Sequence, residues 1–333
     1  MKNIIKERKT CRMSGEKLVG LFTLGRLQIS NFLPVNARLQ TEPVELKLCL
    51  APKSGLVQLA HSAPADYMYT HYWYRSGTNA SMTNELRQIA ESIQAQMNLK
   101  KGDIFLDIGC NDGTLFKFVN PQITRVGFDP TTNVGQEAKE YASLVIRDYF
   151  NYPAYQKSRY GYKKAKVVTS IAMFYDLENP HAFVQDVHKI LDKDGLWAIQ
   201  MSYLPLMLKQ LAFDNICHEH LEYYSLTSLK YLLDRHGFQI IDCQLNDVNG
   251  GSFRVYVRKA GADPTKFATA PYRDVAQHRV ESMFAHEKTL GLNSKKTYLD
   301  FFKKIENLKR QTVSFIKQER KKGKTIWGYG AST

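Results

Sequence analysis

Residues 214–226 concentrate side chains that can exchange protons. The stretch reads DNICHEHLEYYSL. It places two histidines around a carboxylate and follows them with two adjacent tyrosines: His218, Glu219, His220, Tyr223 and Tyr224. Imidazole titrates near neutral pH, so a histidine in a cleft can remove or return a proton. The structural alternative is a buried, hydrogen-bonded histidine beside tyrosines that only pack.

A second chemical pattern is a glycine-bearing turn between a buried strand and the start of a helix. Residues 105–116 read FLDIGCNDGTLF, and such turns bind nucleotide-like ligands in doubly wound folds. Gly109 and Gly113 bracket Asn111 and Asp112, which departs from the Gly-x-Gly-x-x-Gly spacing of dinucleotide sites. Acids here would repel a pyrophosphate, but they suit a ligand that carries an ammonium and a sulfonium group. S-adenosylmethionine is such a ligand.

Acids also accompany the ends of three successive predicted strands. Asp107 belongs to the first strand. Asp129, followed by Pro130, comes after the second strand and could accept hydrogen bonds from both ribose hydroxyls. Asp148 comes after the third and could accept from the adenine amino group, with the ring of Tyr149 against the base. Each acid alone could be a turn or cap residue, but three in this order predict a cofactor site.

The elements that must position these residues begin at about residue 103. Seven short β-rich runs alternate with helical periodicity, at 104–108, 123–128, 144–146, 167–172, 196–201, 238–243 and 253–257. This pattern predicts an α/β fold with a mainly parallel, doubly wound sheet, the Rossmann-like outline of class I methyltransferases. Residues 249–251 are too short for a crossover, so the last two strands should pair antiparallel. The fourth helix should begin with the cap Asn179 and Pro180 and end before Gly195.

Length and composition predict several domains and no membrane span. The chain has 333 residues and 44% apolar content. We predict a small N-terminal domain at 1–85, a cofactor-binding domain at 86–261, and a basic helical segment with the first strand of a truncated α/β domain at 262–333. Without an apolar run of about 18 residues or a signal peptide, we expect a cytoplasmic protein with no membrane partner. Its five scattered cysteines indicate reduced thiols.

The formal net charge of +14 raises the question of nucleic-acid binding. Residues 295–324 hold eleven Lys or Arg against three Asp or Glu, which accounts for more than half of the excess. The apolar residues of this segment recur near a helical repeat: Phe301, Ile305, Leu308, Phe315 and Ile316. We therefore expect a solvated helix packed along one face, and no nucleic-acid partner.

Several motifs together resemble the sugar C-methyltransferases that act on nucleotide-linked 4-keto-deoxyhexoses. They are DIGCNDG at 107–113, DP at 129–130, SIAMFYD at 170–176, CHEH at 217–220 and NGGSF at 249–253. The most specific element is the run His-Glu-His-Leu-x-Tyr-Tyr-Ser, and the likeness extends from about residue 11 to residue 333. The resemblance implies S-adenosylmethionine as cofactor, with Ser170 and Ala172 among its contacts. It also implies a nucleotide-sugar substrate held partly by a C-terminal domain.

The resemblance also assigns roles around the His-Glu-His run. Methylation of a carbon beside a ketone requires a base for the carbon-bound proton and donors for the enolate oxygen. His220 is implied as the base. Further site residues are Tyr74, His218, Glu219 and Tyr224, with Tyr223 as an alternative to Tyr224. The acid or the second histidine could orient the sugar or polarise its ketone, one tyrosine of the pair could donate, and Tyr74 would reach in from the N-terminal domain.

Two other functions stay open on the sequence. An O- or N-methyltransferase of a small metabolite would use the same cofactor but would need a base only for a hydroxyl or an amine. A non-catalytic or RNA-binding module would agree with the positive charge. The identity of the sugar, the methylated carbon, and the choice between monomer and homodimer are not determined by the sequence.

The resemblance further implies an N-terminal zinc site made of two Cys-x-x-Cys pairs, but this chain departs from it. The matching positions are Cys11, Ser14, Ala51 and Ser54. Structural zinc sites use four ligands, so we predict that no metal binds here. Cys49 is two residues out of place and does not restore the set. A second departure is Cys217, where the family carries a tyrosine.

Overall fold

The computed structural model describes residues 5–29 and 42–328, and the strands in these ranges form three β-sheets. The N-terminal strands are β1 (Lys6–Glu7), β2 (Val19–Leu27), β3 (Val44–Ala51), β4 (Leu56–Leu59) and β5 (His61–Ser62). Strands β2, β3 and β4 pair antiparallel in sequence order, and β1 pairs with β5. Leu48 and Val57 bury their side chains in an apolar cluster of this region, so packing holds the N-terminal strands together.

Two helices lead to the main sheet, α1 (Ala65–Tyr69) and α2 (Ala80–Gln96). The remaining elements, in chain order, are β6 (Ile104–Ile108), β7 (Thr124–Phe128), α3 (Val134–Glu137), β8 (Leu144–Ile146), α4 (Tyr152–Lys157), β9 (Ala165–Ile171), α5 (Pro180–Ile190), β10 (Leu191–Ser202), α6 (Leu204–Gln210), β11 (Glu222–Tyr223), α7 (Leu226–Asp234), β12 (Phe238–Asn246), β13 (Ser252–Lys259), α8 (Ala270–Thr289) and α9 (Lys295–Lys321).

The main sheet has seven strands in the order β12-β13-β10-β9-β6-β7-β8. Strands β6 to β10 pair in parallel, whereas β13 is antiparallel to both of its neighbours. Successive residues of a strand point to opposite faces; Leu106 and Phe105 accordingly join different core clusters. A sheet covered on both faces explains why every residue of β6 is buried. The predicted α/β class and terminal hairpin are confirmed.

Helix α5 begins as the sequence indicates but ends earlier than predicted from Gly195. Asn179 Oδ1 accepts a hydrogen bond from the Ala182 amide at 3.2 Å, and Pro180 occupies the first turn. The helix stops at Ile190, and β10 starts directly at Leu191. Gly195 therefore lies inside the strand, where an added Cβ would come 2.8 Å from Leu191 Cδ1. Glycine is needed at this position for close packing, and it does not end the helix.

The basic segment forms α9, but only its first half packs as expected. Phe301 and Ile305 are buried against the N-terminal strands, whereas Leu308 is 40% exposed and Phe315 is 62% exposed. The predicted strand at the end of the chain is not present in residues 324–328, which have no regular structure. Its remaining residues, 329–333, lie outside the described part of the chain.

The His-Glu-His stretch is positioned by a pairing between the two halves of the fold. Strand β11 pairs antiparallel with β4, with Glu222 opposite Gln58 and Tyr223 opposite Val57. Strand β11 thus forms an edge of the N-terminal sheet. The stretch that contains it lies between β10 and α7 in the chain. No helix among residues 5–29 and 42–328 has the length and apolar character that a membrane span requires.

Candidate active site

The predicted cofactor acids lie at the carboxyl end of the main sheet. Asp107, in β6, is buried and accepts a hydrogen bond from Thr169 Oγ1 at 2.6 Å. Burial raises the pKa of Asp107 to about 7, although that hydrogen bond opposes the rise. Asp129, directly after β7, accepts from the backbone amides of Asn111 at 2.9 Å and Thr131 at 3.0 Å. These bonds hold the Asp129 carboxylate in one orientation beside the glycine turn, and burial raises its pKa.

The glycines of the turn are required by its backbone and by close contacts. Gly109 and Gly113 have φ of 72° and 78°, in the left-handed region that favours glycine. A Cβ on Gly113 would lie 2.7 Å from Ala138 Cα, and one on Gly109 would lie 3.2 Å from Met173 Cγ. Met173 belongs to the loop after β9, so this loop and the glycine turn form one continuous surface.

Asn111 and Asp112 hold another segment of the chain over this surface. Asn111 Oδ1 accepts from the Ser76 amide at 3.0 Å, and its Nδ2 donates to the Tyr74 carbonyl at 3.0 Å. Asp112 Oδ2 accepts from the Gly77 amide at 2.7 Å. The two side chains therefore position the segment before α2, and their contacts with the cofactor stay a prediction.

Tyr74 belongs to this cofactor edge and not to the His-Glu-His stretch. Burial and the neighbouring Asp112 raise the pKa of its hydroxyl, and its carbonyl is held by Asn111 as described. The carbonyl of Tyr74 contacts the cofactor turn, and Tyr72 interacts with both Tyr74 and Glu219; the catalytic role of Tyr74 stays a prediction.

The residues predicted after the third strand lie on the rim of the sheet. Asp148 is exposed and accepts from Asn151 Nδ2 at 3.2 Å. Tyr149 is 39% exposed, and its hydroxyl donates to Asp66 Oδ1 at 3.0 Å. Tyr149 therefore bridges to helix α1, and both side chains stand at the entrance of the predicted adenine position.

The residues predicted at the ends of the second and fourth strands, Pro130, Ser170 and Ala172, differ in accessibility. Pro130 follows Asp129 and is partly exposed at the edge of the sheet. Ser170 is fully buried, and its Oγ accepts from the indole nitrogen of Trp197 at 3.1 Å. Its hydroxyl thus bonds within the core, and its contact with the cofactor stays a prediction. Ala172 has φ of 52° and directs the chain out of β9 towards Met173.

His220 has the geometry of a base. Its Nδ1 lies 2.8 Å from the Asn215 carbonyl oxygen. A carbonyl only accepts, so Nδ1 carries the proton and Nε2 keeps its lone pair. The ring is partly exposed and stands 4.3 Å from the ring of Tyr175, in a narrow cleft that Tyr223 also lines. His220 can therefore accept a proton through Nε2 from a group that enters the cleft.

Carboxyl and hydroxyl groups surround this histidine. Burial raises the pKa of Glu219, although the adjacent His220 opposes the rise. Asp176, in the turn after β9, interacts electrostatically with both, and the Tyr69 hydroxyl donates to the Glu219 carbonyl at 3.5 Å. Burial and then the charge of Glu219 raise the pKa of Tyr72. Asp176, Tyr69 and Tyr72 were not among the predicted site residues. Asp176 ends the SIAMFYD motif and the tyrosines precede Tyr74, but nothing local indicates that these positions meet.

Two predicted members of the site have structural roles. His218 is buried, and its Nε2 lies 3.2 Å from the Val44 carbonyl on β3, to which it can only donate. Tyr224 is fully buried, and its hydroxyl donates to Glu222 Oε2 at 2.8 Å. Neither group reaches the cleft. Tyr223 replaces Tyr224 as the candidate donor, because its enclosed hydroxyl has no hydrogen-bond partner within the described ranges.

Two family models match this chain. Residues 79–242 match a methyltransferase domain, and residues 247–333 match the C-methyltransferase C-terminal domain. The C-methyltransferase NovU of Streptomyces niveus is 28% identical over 294 residues, which cover 87% of this chain and 67% of NovU. The chain is an S-adenosylmethionine-dependent methyltransferase. The second model matches the C-terminal domain of C-methyltransferases over residues 247–333, and the cofactor predicted from the acids at the strand ends is confirmed.

Two further relatives match a shorter part of this methyltransferase. Sphingolipid C9-methyltransferases of Komagataella phaffii and Gibberella zeae are 27% and 32% identical over 36% and 35% of the chain. The aligned parts span about a quarter of those enzymes. Magnesium protoporphyrin IX methyltransferase of Synechocystis PCC 6803, solved with SAH, superposes with a TM-score of 0.42 at 13% identity, covering 55% of this chain and 88% of that one.

The four positions of the family zinc site come together in this methyltransferase without forming a metal site. Cys11 Sγ lies 3.4 Å from Ser54 Oγ, which donates to the Ala51 carbonyl at 3.4 Å. Glu16 accepts from the amides of Lys53 and Ser54 at 3.0 Å and 3.2 Å. One thiol and two hydroxyls do not provide the four thiolate or imidazole ligands that zinc prefers.

The same positions are instead joined by hydrogen bonds. Glu16 Oε1 also accepts from Ser14 Oγ at 2.7 Å, and Cys11 Sγ accepts from the Met13 amide at 3.3 Å. No group of three or more His, Cys, Asp or Glu side chains suited to a metal occurs in the part of the chain that the structure describes. A hydrogen-bonded carboxylate thus connects the two turns at which the family places zinc.

Proposed function

We propose that this methyltransferase adds a methyl group to a carbon beside the ketone of a nucleotide-linked 4-keto-deoxysugar. The observation that carries the proposal is the tautomer of His220. Its Nδ1 is committed to the Asn215 carbonyl, so Nε2 of the neutral ring is an acceptor, and His220 lines the cleft. The motif resemblance around residues 217–224 supports the sugar substrate, and the match to the C-methyltransferase C-terminal domain supports carbon as the acceptor.

The residues of the cleft suit removal of a proton from carbon. His220 Nε2 takes the hydrogen beside the ketone, and the electron pair of the C–H bond moves to the carbonyl oxygen to form an enolate. Tyr223, with its enclosed and unpaired hydroxyl, is placed to donate a hydrogen bond to substrate oxygen. S-adenosylmethionine supplies an electrophilic methyl group when it is bound. His220 afterwards releases its proton to water, which returns the site to its starting state.

The residues at the sheet edge suit the cofactor. Asp129 is oriented by two backbone amides and by the Thr131 hydroxyl, which donates to Oδ1 at 2.5 Å, and its Oδ2 keeps acceptor capacity for the ribose. Asp107 stands beside the glycine turn with a pKa of about 7, so it can balance a cationic ligand near neutral pH. The loop of Met173 connects this edge to the cleft of His220.

The test is exchange of the substrate's α-hydrogen with deuterium from solvent. A panel of nucleotide 4-ketosugars is incubated with the protein and S-adenosylhomocysteine, which lacks the methyl group, and mass spectrometry follows the exchange. His220→Gln should keep the fold and cofactor affinity but lose about 100-fold to 10,000-fold in exchange and in methylation.

The matched control is His218→Gln in the same segment. Its amide can still donate to the Val44 carbonyl, so exchange per folded molecule should stay near the wild-type rate. Wild-type exchange rates in His220→Gln would refute the assignment of the base. Methylated product without loss of a carbon-bound hydrogen would instead show an oxygen or nitrogen acceptor.

A further inference from the structure

Asp176 is a carboxyl group that the mechanism above does not use, and it directly follows Tyr175, which lines the cleft with its ring 4.3 Å from that of His220. It ends the turn Phe174–Asp176, which follows β9 at the carboxyl end of the sheet. The residue is partly accessible, but its Oδ1 is shielded from solvent and has no hydrogen-bond partner in the described ranges. The Tyr69 hydroxyl, on the neighbouring segment, donates to the Glu219 carbonyl at 3.5 Å. The shielded Oδ1 of Asp176 is thus available to a group from outside the chain.

The groups that face Asp176 come from every segment around the cleft. They are Tyr69 and Tyr72 near α1, its neighbour Tyr175, the segment residues Cys217, Glu219 and His220, and Tyr223 of β11. Of these groups only His220 becomes cationic on protonation, whereas Glu219 brings a second carboxyl group. Two acids beside one base do not both ionise easily in a desolvated site.

The loop that carries Asp176 is anchored to the N-terminal strands. Glu178, two residues on, accepts from Arg8 Nη2 at 2.8 Å and from Ser62 Oγ at 2.7 Å. The Asp176 amide donates to the Met173 carbonyl at 3.1 Å, and Met173 lies against the cofactor turn. This fixed loop places the Asp176 carboxyl group beside His220 without any movement of the chain.

We propose that Asp176 is a further catalytic residue, whose carboxylic acid group donates a hydrogen bond to the substrate's carbonyl oxygen while His220 removes the neighbouring proton. Burial, with an added contribution from Glu219, raises the pKa of Asp176 well above its usual range, although His220 opposes the rise. The acid therefore stays protonated to a higher pH than a free aspartic acid, and an O–H donor is what a developing enolate oxygen needs.

These groups account for every proton that moves in the step. The carbon-bound proton moves to His220 Nε2, and the C–H electron pair becomes the enolate. The Asp176 proton stays on Asp176 throughout and only shortens its hydrogen bond to the oxygen. The enolate carbon would take the methyl group that the bound sulfonium supplies, with the S–CH3 bond broken and a neutral thioether left, and the ketone would be restored. This role rests on the proposed ketone substrate.

The experiment compares Asp176→Ala with Asp176→Asn in the α-hydrogen exchange and methylation assays. Loss of the donor in Asp176→Ala should lower kcat about 100-fold to 1,000-fold without weakening cofactor binding. The amide of Asp176→Asn can still donate, so its kcat should stay within about tenfold of wild type. The wild type should lose activity as pH rises through the pKa of Asp176, and Asp176→Asn should lack that loss.

Glu178→Gln serves as the control for a purely structural effect, since it loosens the loop but keeps the Asp176 side chain. Its activity should still fall as pH rises through the pKa of Asp176. Equal damage in Asp176→Asn and Asp176→Ala would overturn the proposal in favour of an ionised carboxylate, and wild-type kcat in both would show no role. Infrared spectra supply a readout without substrate. Burial raises the pKa of Asp107 to about 7 and that of Glu222 to about 8, so these groups also contribute acid carbonyl absorption near neutral pH, and the Asp176 contribution is read from the difference between wild type and Asp176→Asn. This difference spectrum should contain one acid carbonyl component, and its absence would overturn the proposal. A wild type that exchanges no ketone would instead overturn the proposed function.

Discussion

Replacement of Glu178 by glutamine should destabilise the fold in a pH-dependent way. Glu178 receives hydrogen bonds or ion pairs from four side chains of the N-terminal strands and their turns: Lys6, Arg8, Arg12 and Ser62. The side chain of Arg12 is completely buried, and its other contacts include the Leu59 carbonyl at 3.0 Å. Glutamine keeps the size and one acceptor of the native residue but removes the charge that balances this guanidinium.

The magnitude follows from the ionisation of Glu178. Burial opposes the charged form, but the hydrogen bonds from Arg8 and Ser62 and the charge of Arg12 outweigh it and lower the pKa from 4.5 to about 2. A shift of about 2.5 units corresponds to about 3.4 kcal/mol at most. Because 40% of the Glu178 side chain is exposed, solvent screening reduces the expected loss to about 1–2 kcal/mol.

The sign of the pH dependence follows from the lowered pKa. A carboxyl group with a depressed folded-state pKa stabilises the protein fully above its unfolded pKa, here about 4.5, and loses that effect as pH falls towards about 2. The free-energy difference between wild type and Glu178→Gln should therefore be constant from pH 7 to pH 5 and shrink below pH 4.5.

Urea unfolding followed by far-UV circular dichroism at several pH values measures this difference. Glu306→Gln is the matched control, because Glu306 is half-exposed and forms only a surface pair with Lys309 at 3.9 Å; its effect should stay within about 0.5 kcal/mol. A loss in Glu178→Gln that is equally small, or one that does not change below pH 4.5, would refute the reasoning.

Two further predictions concern the cofactor and the metal. Asp129→Ala should weaken S-adenosylmethionine binding by about 1–3 kcal/mol, since it leaves two ribose hydroxyls unpaired. Calorimetric titration measures this loss, and the control Asp148→Ala, at an exposed position, should show a much smaller change. An unchanged dissociation constant in Asp129→Ala would contradict the assignment. The protein should contain no stoichiometric zinc, because Glu16 and its hydrogen bonds connect the turns around Cys11 and Ser54; one zinc per chain by elemental analysis after chelator-free purification would contradict this.

Much of the main sheet was predictable because its signals are local. Buried parallel strands appear as short apolar runs, and residues 104–108 form β6 with the predicted bounds. The cap at Asn179 formed as expected, since a side-chain oxygen near the first amides of a helix needs no distant partner. The cofactor acid Asp129 could also be placed, because residues that follow parallel strands meet at one edge of a sheet.

The composition of the proton-transfer cleft was less predictable. His218 and His220 are two residues apart and chemically identical, so the sequence does not distinguish them. Their roles differ because His218 meets the Val44 carbonyl of β3, while His220 meets the Asn215 carbonyl five residues before it. Asp176 joins the cleft from another loop altogether, and no spacing in the sequence relates it to residues 217–220.

The amino-acid sequence by itself determined the α/β class, the cofactor turn and the presence of a histidine suited to proton transfer, because periodicity, glycine positions and imidazole chemistry act over a few residues. The tertiary structure alone decided which tyrosines face the cleft, that Asp176 lies beside His220, and that Glu16 connects the turns where the family places zinc. These outcomes depend on the pairing of β11 with β4 and on hydrogen bonds between distant segments. Side-chain directions in irregular segments are set by such partners, and only the folded chain brings the partners together.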